Sequence, residues 1–152
     1  MKLEGAQVVV VGMARSGVAT VELLKEKGAR VRAVDQAPVV IPDVDVAPQI
    51  DASFANADLI VLSPGVPPDL EVIENVRRRG VRVIGDLELA SWFLAGEIMG
   101  ITGSNGKTTT TALTGHILKA SGIPVQVGGN IGTPPASMVR TSRAGQWNVL
   151  EL

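Results

Sequence analysis

Val8 to Val11 is an unbroken run of β-branched residues, the pattern of a strand covered on both faces of a parallel sheet. Gly12 ends it. From Ser16 or Gly17 to Lys27, Val18, Val21 and Leu24 recur at helical spacing beside Ala19 and Leu23, and Gly28 supplies the stop. Arg30 to Val34 alternates into a second strand that ends at Asp35. A third strand is predicted over 58–63. A helix over 69–79 should follow, with Asp69 as its cap and Leu70, Ile73 and Val76 facing inward. Val81 to Ile84 reads as a fourth strand and 86–93 as a short helix or connector. Between the second and third strands, Gln36 to Ala52 carries Pro38, Pro42 and Pro48 without a period. That stretch is expected to be an irregular connection holding one short strand. Repeated strand–helix–strand units imply a parallel sheet whose functional loops collect at the carboxyl ends of the strands.

The pattern restarts near Glu97. A strand over 97–102, a helix from Lys107 to Ala120 closed by Gly122, a strand over 123–127, a small helix over 136–140 and a strand over 148–152 are predicted. The boundary between the two patterns is placed between Gly85 and Gly96.

The composition narrows the chemistry. Of 152 residues 45% are hydrophobic, enough to bury a core, while a net charge of −1 and a pI near 5.8 leave no basic field to gather nucleic acid. Arg77 to Arg79 end a helix before Gly80, where cations favour the dipole. No cysteine is present, which excludes disulfides and thiolate metal sites. No apolar run approaches the ~18 residues of a membrane span. A cytoplasmic monomer, bound to neither membrane nor nucleic acid, is expected. His116 is the sole histidine and has no partner for metal binding; Trp92 and Trp147 read as packing residues.

Candidate chemistry lies in the glycine turns. Gly103-Ser104-Asn105-Gly106-Lys107-Thr108-Thr109 follows a strand and opens a helix. Main-chain N–H groups at such a helix start form a cradle for phosphate, and Lys107 adds a full charge. Thr108 offers a hydroxyl to magnesium. The usual first glycine of the phosphate-loop expression falls on Ile101, with Gly100 and Gly103 on either side, so the close turn is assigned to Gly103 and Gly106. ATP binding with Mg2+ is the expectation, with Lys107 as the catalytic residue. The fold class that follows is α/β: a Rossmann-like parallel-sheet domain over 1–90, then the truncated start of a P-loop ATPase-type α/β domain over 91–152. Three strands are too few to surround a phosphate-loop strand. The chain is therefore expected to be a fragile piece of a longer protein.

Gly12-x-Ala14-x-x-Gly17 lacks the middle glycine of a dinucleotide fingerprint, although Asp35 follows at about the ribose-binding spacing. An NAD-dependent oxidoreductase domain stays open on these residues alone, as does a non-catalytic nucleotide-binding module. Ser63-Pro64-Gly65 lies just past a strand, where its backbone can approach a ligand. Asn130, flanked by Gly128, Gly129 and Gly132, suggests a backbone shaped for an anion.

Thr102 to Thr109 resembles the ATP-binding loop of the muramyl ligases, the enzymes that add amino acids to the peptidoglycan precursor. Gly12-Met-Ala-Arg-Ser-Gly17, Ser63-Pro-Gly-Val-Pro67, Gly85-Asp-Leu-Glu-Leu89, Gly129-Asn-Ile-Gly-Thr-Pro134 and Val149-Leu-Glu-Leu152 occur in that family's order. With Asn105 where the alanine-adding branch typically carries histidine, the set looks like the D-glutamate-adding branch. The resemblance implies ATP-dependent amide formation on UDP-N-acetylmuramoyl-L-alanine through an acyl phosphate. It implies that Arg15, Ser16, Asp35, Gln36, Gly65 and Asn130 meet the UDP-sugar, and that Glu151 joins Thr108 at magnesium. It also implies that the C-terminal amino-acid-binding domain is absent from these 152 residues, so that the chain alone should not turn over.

Overall fold

The computed structural model describes residues 2–42 and 44–152, which form two compact units dividing after Asp86. In the first, β1 (Gln7–Val11), β2 (Arg30–Asp35), β3 (Val46–Pro48), β4 (Leu59–Leu62) and β5 (Arg82–Gly85) make an all-parallel sheet in the order β3-β2-β1-β4-β5. The valine run occupies its centre, with Val8 opposite Val31 on one side and Leu59 on the other. Val8–Val11 and Leu59–Leu62 are buried throughout, as strands between two covered faces must be.

Helix α1 (Arg15–Glu26) packs on β1 and β2 and buries Val21, Leu23 and Leu24. Val9, Val11, Val34 and Ile60 instead join Ile73 and Val76 of α2 (Glu71–Arg78) and Phe54 in one apolar cluster. Phe54 sits in a 3-10 turn over Asp51–Phe54 and is 1% exposed. Replacing it with alanine should cost about 3–5 kcal/mol, read as a lower midpoint in urea unfolding. Retention of the wild-type midpoint would remove it from the core.

Two expectations need correcting. Asp69 does not cap α2: the N-cap residue is Leu70, with no side-chain cap bond. Leu70 packs against the apolar cluster, which carries the helix start past Asp69, and Glu71 and Glu74 supply the negative charge in the first turn. The last strand pair also shifts, because β7 runs Val125–Gly129 rather than over 123–127. The proline-rich connection does yield one short strand. This is β3 at the sheet edge, where Pro48, as its last residue, leaves no ladder bond missing inside the sheet.

The second unit holds β6 (Glu97–Ile101), α4 (Lys107–Ala120), β7 (Val125–Gly129), α5 (Pro135–Met138) and β8 (Trp147–Glu151), after the short α3 (Asp86–Ser91) at the division. Its parallel sheet runs β6-β8-β7, so the last strand in sequence is central in space. Val149 and Leu150 are buried, whereas no residue of β6 is. Asn148 is fully buried because its polar atoms are satisfied. Its amide donates to Ala95 O at 2.9 Å and Glu97 O at 3.0 Å, and its oxygen accepts from Gln126 Nε2 at 2.6 Å. Ile98, Leu113 and Ile117 remain 42–54% exposed, so apolar surface on this unit is uncovered. His116 is exposed.

Candidate functional site

In the first unit the carboxyl ends of β1, β2 and β4 meet around one cavity of about 250 Å³. The sheet ladder runs past the strand ends there. Gly12 N donates to Val34 O at 2.8 Å and Ser63 N to Val11 O at 2.9 Å. Asp35, Gln36 and Gly65 line the cavity together with Gly12, Met13, Ala14 and Ser63. Asp35 is no free carboxylate: Oδ2 accepts from Met13 N at 2.6 Å and Oδ1 from Ala37 N at 2.9 Å. Arg15 and Ser16 open α1 immediately after Ala14, and neither lines the cavity. The N-cap Ala14 makes no side-chain cap bond, and its main-chain oxygen accepts from Val18 N at 3.1 Å. Sequence reasoning missed Gln49 and Leu70 on the cavity wall. Leu70 had been assigned inward by its helical spacing alone, and nothing in its pattern signals a cavity.

In the second unit Gly103 has φ 148° and Gly106 φ 74°, backbone shapes that side chains disfavour. Gly106 is the N-cap of α4 in the left-handed conformation. The turn from Thr102 to Gly106 is exposed, and Lys107 is half-buried beside it. Lys107 Nζ folds back over the turn and donates to Gly103 O at 2.9 Å. Its partner is thus a neutral carbonyl of the loop itself, which a phosphate oxygen can replace with a stronger, charge-assisted bond. Ser104, Asn105, Thr108 and Thr109 are exposed around it.

Glu151 ends the central strand, paired with Ile101 on one side and Gly129 on the other. The register therefore sets its carboxylate on the strand adjoining the one that leads into the glycine turn. Glu151 is 7% exposed and its Oε2 is buried without a hydrogen bond. A buried acceptor of this kind wants a cation or a donor. Asn130 follows directly: its N–H donates to Glu151 O at 3.0 Å. It belongs to the second unit, whereas Arg15, Ser16, Asp35, Gln36 and Gly65 belong to the first. Among the described residues no three His, Asp or Glu side chains gather as a metal cage.

A five-stranded parallel sheet ordered β3-β2-β1-β4-β5, followed by a smaller parallel sheet that carries a strand, glycine turn and helix, makes this an α/β protein. The family model for the Mur ligase MurD-like N-terminal domain matches residues 6–85, and the chain belongs to that family. It is 57% identical to the UDP-N-acetylmuramoylalanine--D-glutamate ligase of Solibacter usitatus (strain Ellin6076), an alignment covering all of this chain and 36% of that relative. The corresponding ligase of Koribacter versatilis (strain Ellin345) is 41% identical over the same shares. The chain thus spans about a third of the length of these relatives. The fold is shared with the crystal structure of UDP-N-acetylmuramate:L-alanyl-gamma-D-glutamyl-meso-diaminopimelate ligase from Neisseria meningitides. That match has a TM-score of 0.57 and 20% identity and covers 97% of this chain and 52% of that one. No helix among the described residues is long and apolar enough to cross a membrane.

Proposed function

We propose that the chain is the N-terminal part of a cytoplasmic ATP-dependent ligase that joins D-glutamate to UDP-N-acetylmuramoyl-L-alanine in peptidoglycan precursor synthesis. The observation that carries this reading is the pairing of the Gly103–Thr109 turn with the bond-free Oε2 of Glu151 on the adjoining strand. In it, the first unit receives the UDP-sugar and the second is the beginning of a P-loop ATP-binding domain.

Two anions must meet in such a reaction, the L-alanyl carboxylate and the γ-phosphate of ATP. The carboxylate attacks the γ-phosphorus to give an acyl phosphate and ADP, and the amine of D-glutamate then displaces phosphate to form the amide. Lys107 exchanges its bond to Gly103 O for the terminal phosphates and offsets charge as the phosphoryl group moves. The main-chain N–H groups from Gly103 to Thr109 hold the remaining phosphate oxygens. Thr108 and Glu151 would hold magnesium, which would supply further charge neutralisation. Asp35, Gln36 and Gly65, with Arg15 and Ser16 at the start of α1, position the uridine end of the UDP-sugar, and Asn130 meets its diphosphate.

Calorimetric titration of the chain with UDP-N-acetylmuramoyl-L-alanine, Mg-ATP and NAD is the direct test. Heat from the first two and none from NAD is the expected result. NAD binding without UDP-sugar binding would replace the ligase by a dinucleotide-dependent oxidoreductase.

A further inference from the structure

The peptide unit between Gly12 and Met13 is gripped from both sides. Its carbonyl oxygen accepts a hydrogen bond from Ser63 Oγ at 2.7 Å, and its N–H donates to Asp35 Oδ2 at 2.6 Å. A trans peptide presents those two groups on opposite sides of one rigid plane. The partners accordingly come from opposite neighbours of β1: Asp35 ends β2, and Ser63 follows β4. Both are themselves fixed. Ser63 is 4% exposed and its N–H is tied to Val11 O, while the second oxygen of Asp35 accepts from Ala37 N. Val66 closes over the same spot, its Cγ2 lying 2.6 Å from where a Cβ on Gly12 would stand.

We infer that Ser63 and Asp35 clamp this peptide, and that Ser63 is a positioning residue for the nucleotide crevice. The single proton of the Ser63 hydroxyl is spent on the protein's own backbone, so toward a ligand the oxygen can only accept. Its contribution comes through Gly12: holding that carbonyl fixes the plane of the next N–H and the path of Met13 and Ala14 along the cavity wall. The Ser-Pro-Gly turn thereby has two jobs, its side chain facing the β1 loop and its Gly65 backbone lining the cavity. The ligand half of the inference rests on the UDP-sugar reading. The clamp itself does not.

Amide hydrogen exchange on the 152-residue chain separates the two halves. In Ser63→Ala, exchange at Met13, whose N–H is held by Asp35, and at Val18, whose N–H is held by Ala14 O, should quicken about tenfold, the loss of one ordinary hydrogen bond, with Val9 and Val10 unchanged. Ser63→Thr, which keeps the hydroxyl, should restore slow exchange. Ser63→Cys keeps the volume with a weaker donor, and gives the same reading should the alanine variant fail to fold. Asp35→Ala removes the acceptor of the Met13 N–H itself, so Met13 should exchange faster still, whereas Val18 should change little beyond Ser63→Ala, because both residues hold one plane. Unchanged loop amides, or uniform acceleration across the first unit, would overturn the clamp. Affinity for UDP-N-acetylmuramoyl-L-alanine should fall about tenfold in Ser63→Ala and recover in Ser63→Thr. An unaltered affinity alongside a loosened loop would overturn the positioning role. Failure of the wild-type chain to bind the UDP-sugar would overturn the functional reading, leaving the clamp to be judged by exchange alone.

Discussion

Lys107→Ala is expected to weaken Mg-ATP binding by the chain, and D-glutamate-dependent phosphate release by the complete ligase, by at least about a hundredfold, the scale seen when a fixed donor to developing charge is removed. Nothing else in the glycine turn carries a formal positive charge, so the main-chain dipoles would face the triphosphate without a neutralising cation. The resting bond from Nζ to Gly103 O is lost as well, and a control is needed to separate charge from loop shape. Lys107→Met keeps most of the stem and good helix propensity. If methionine behaves like alanine, the ammonium is responsible. Near-normal phosphate release in both variants would remove Lys107 from the reaction.

Gly17→Ala should have the largest effect on the fold. A Cβ at this position would run into the Gly12 carbonyl oxygen and come within 2.8 Å of Ser63 Oγ. The obstacle is backbone, which cannot rotate away, and α1 would have to lift off β1. A loss of about 4 kcal/mol or more is expected, in the exceptional tail for single substitutions. Circular dichroism melting checks it against Ser16→Ala one residue earlier, where about 0.5 kcal/mol or less is expected. Equal midpoints for the two variants would mean that α1 does not pack against the Gly12 carbonyl.

What could be read in advance was whatever is local in cause. The four valines, the helical spacing of Val18, Val21 and Leu24, and the glycines at 28 and 122 each act within a few residues, and the strands and helices they announce are present at β1, α1 and α4. The glycine turn before Lys107 was legible for the same reason. Its position between a strand and a helix follows from contiguous residues, and the two positive-φ glycines, Gly103 and Gly106, fall where the turn demands them. Asp69 misled because a capping rule sees only its neighbours, while Leu70 answers to a core assembled from β1, β2 and β4. The double engagement of Asp35 was hidden because Met13 is remote in sequence and adjacent only once β1 and β2 pair. Glu151 read as an ordinary strand-end carboxylate from spacing alone, since its missing hydrogen bond exists only after β8 lies between β6 and β7.

The central place of β8 also bears on how the second unit comes into being on the ribosome. Among the described residues β6 and β7 do not pair with each other; each bonds to β8, which is made after both. The anion-holding turn after β6 must therefore wait, with its strand unpaired, until Trp147–Glu151 has emerged and slid between them. Non-local pairing of this sort delays folding. Nascent chains halted before Trp147 would carry the first unit's sheet already complete and the second unit's ladder not yet begun.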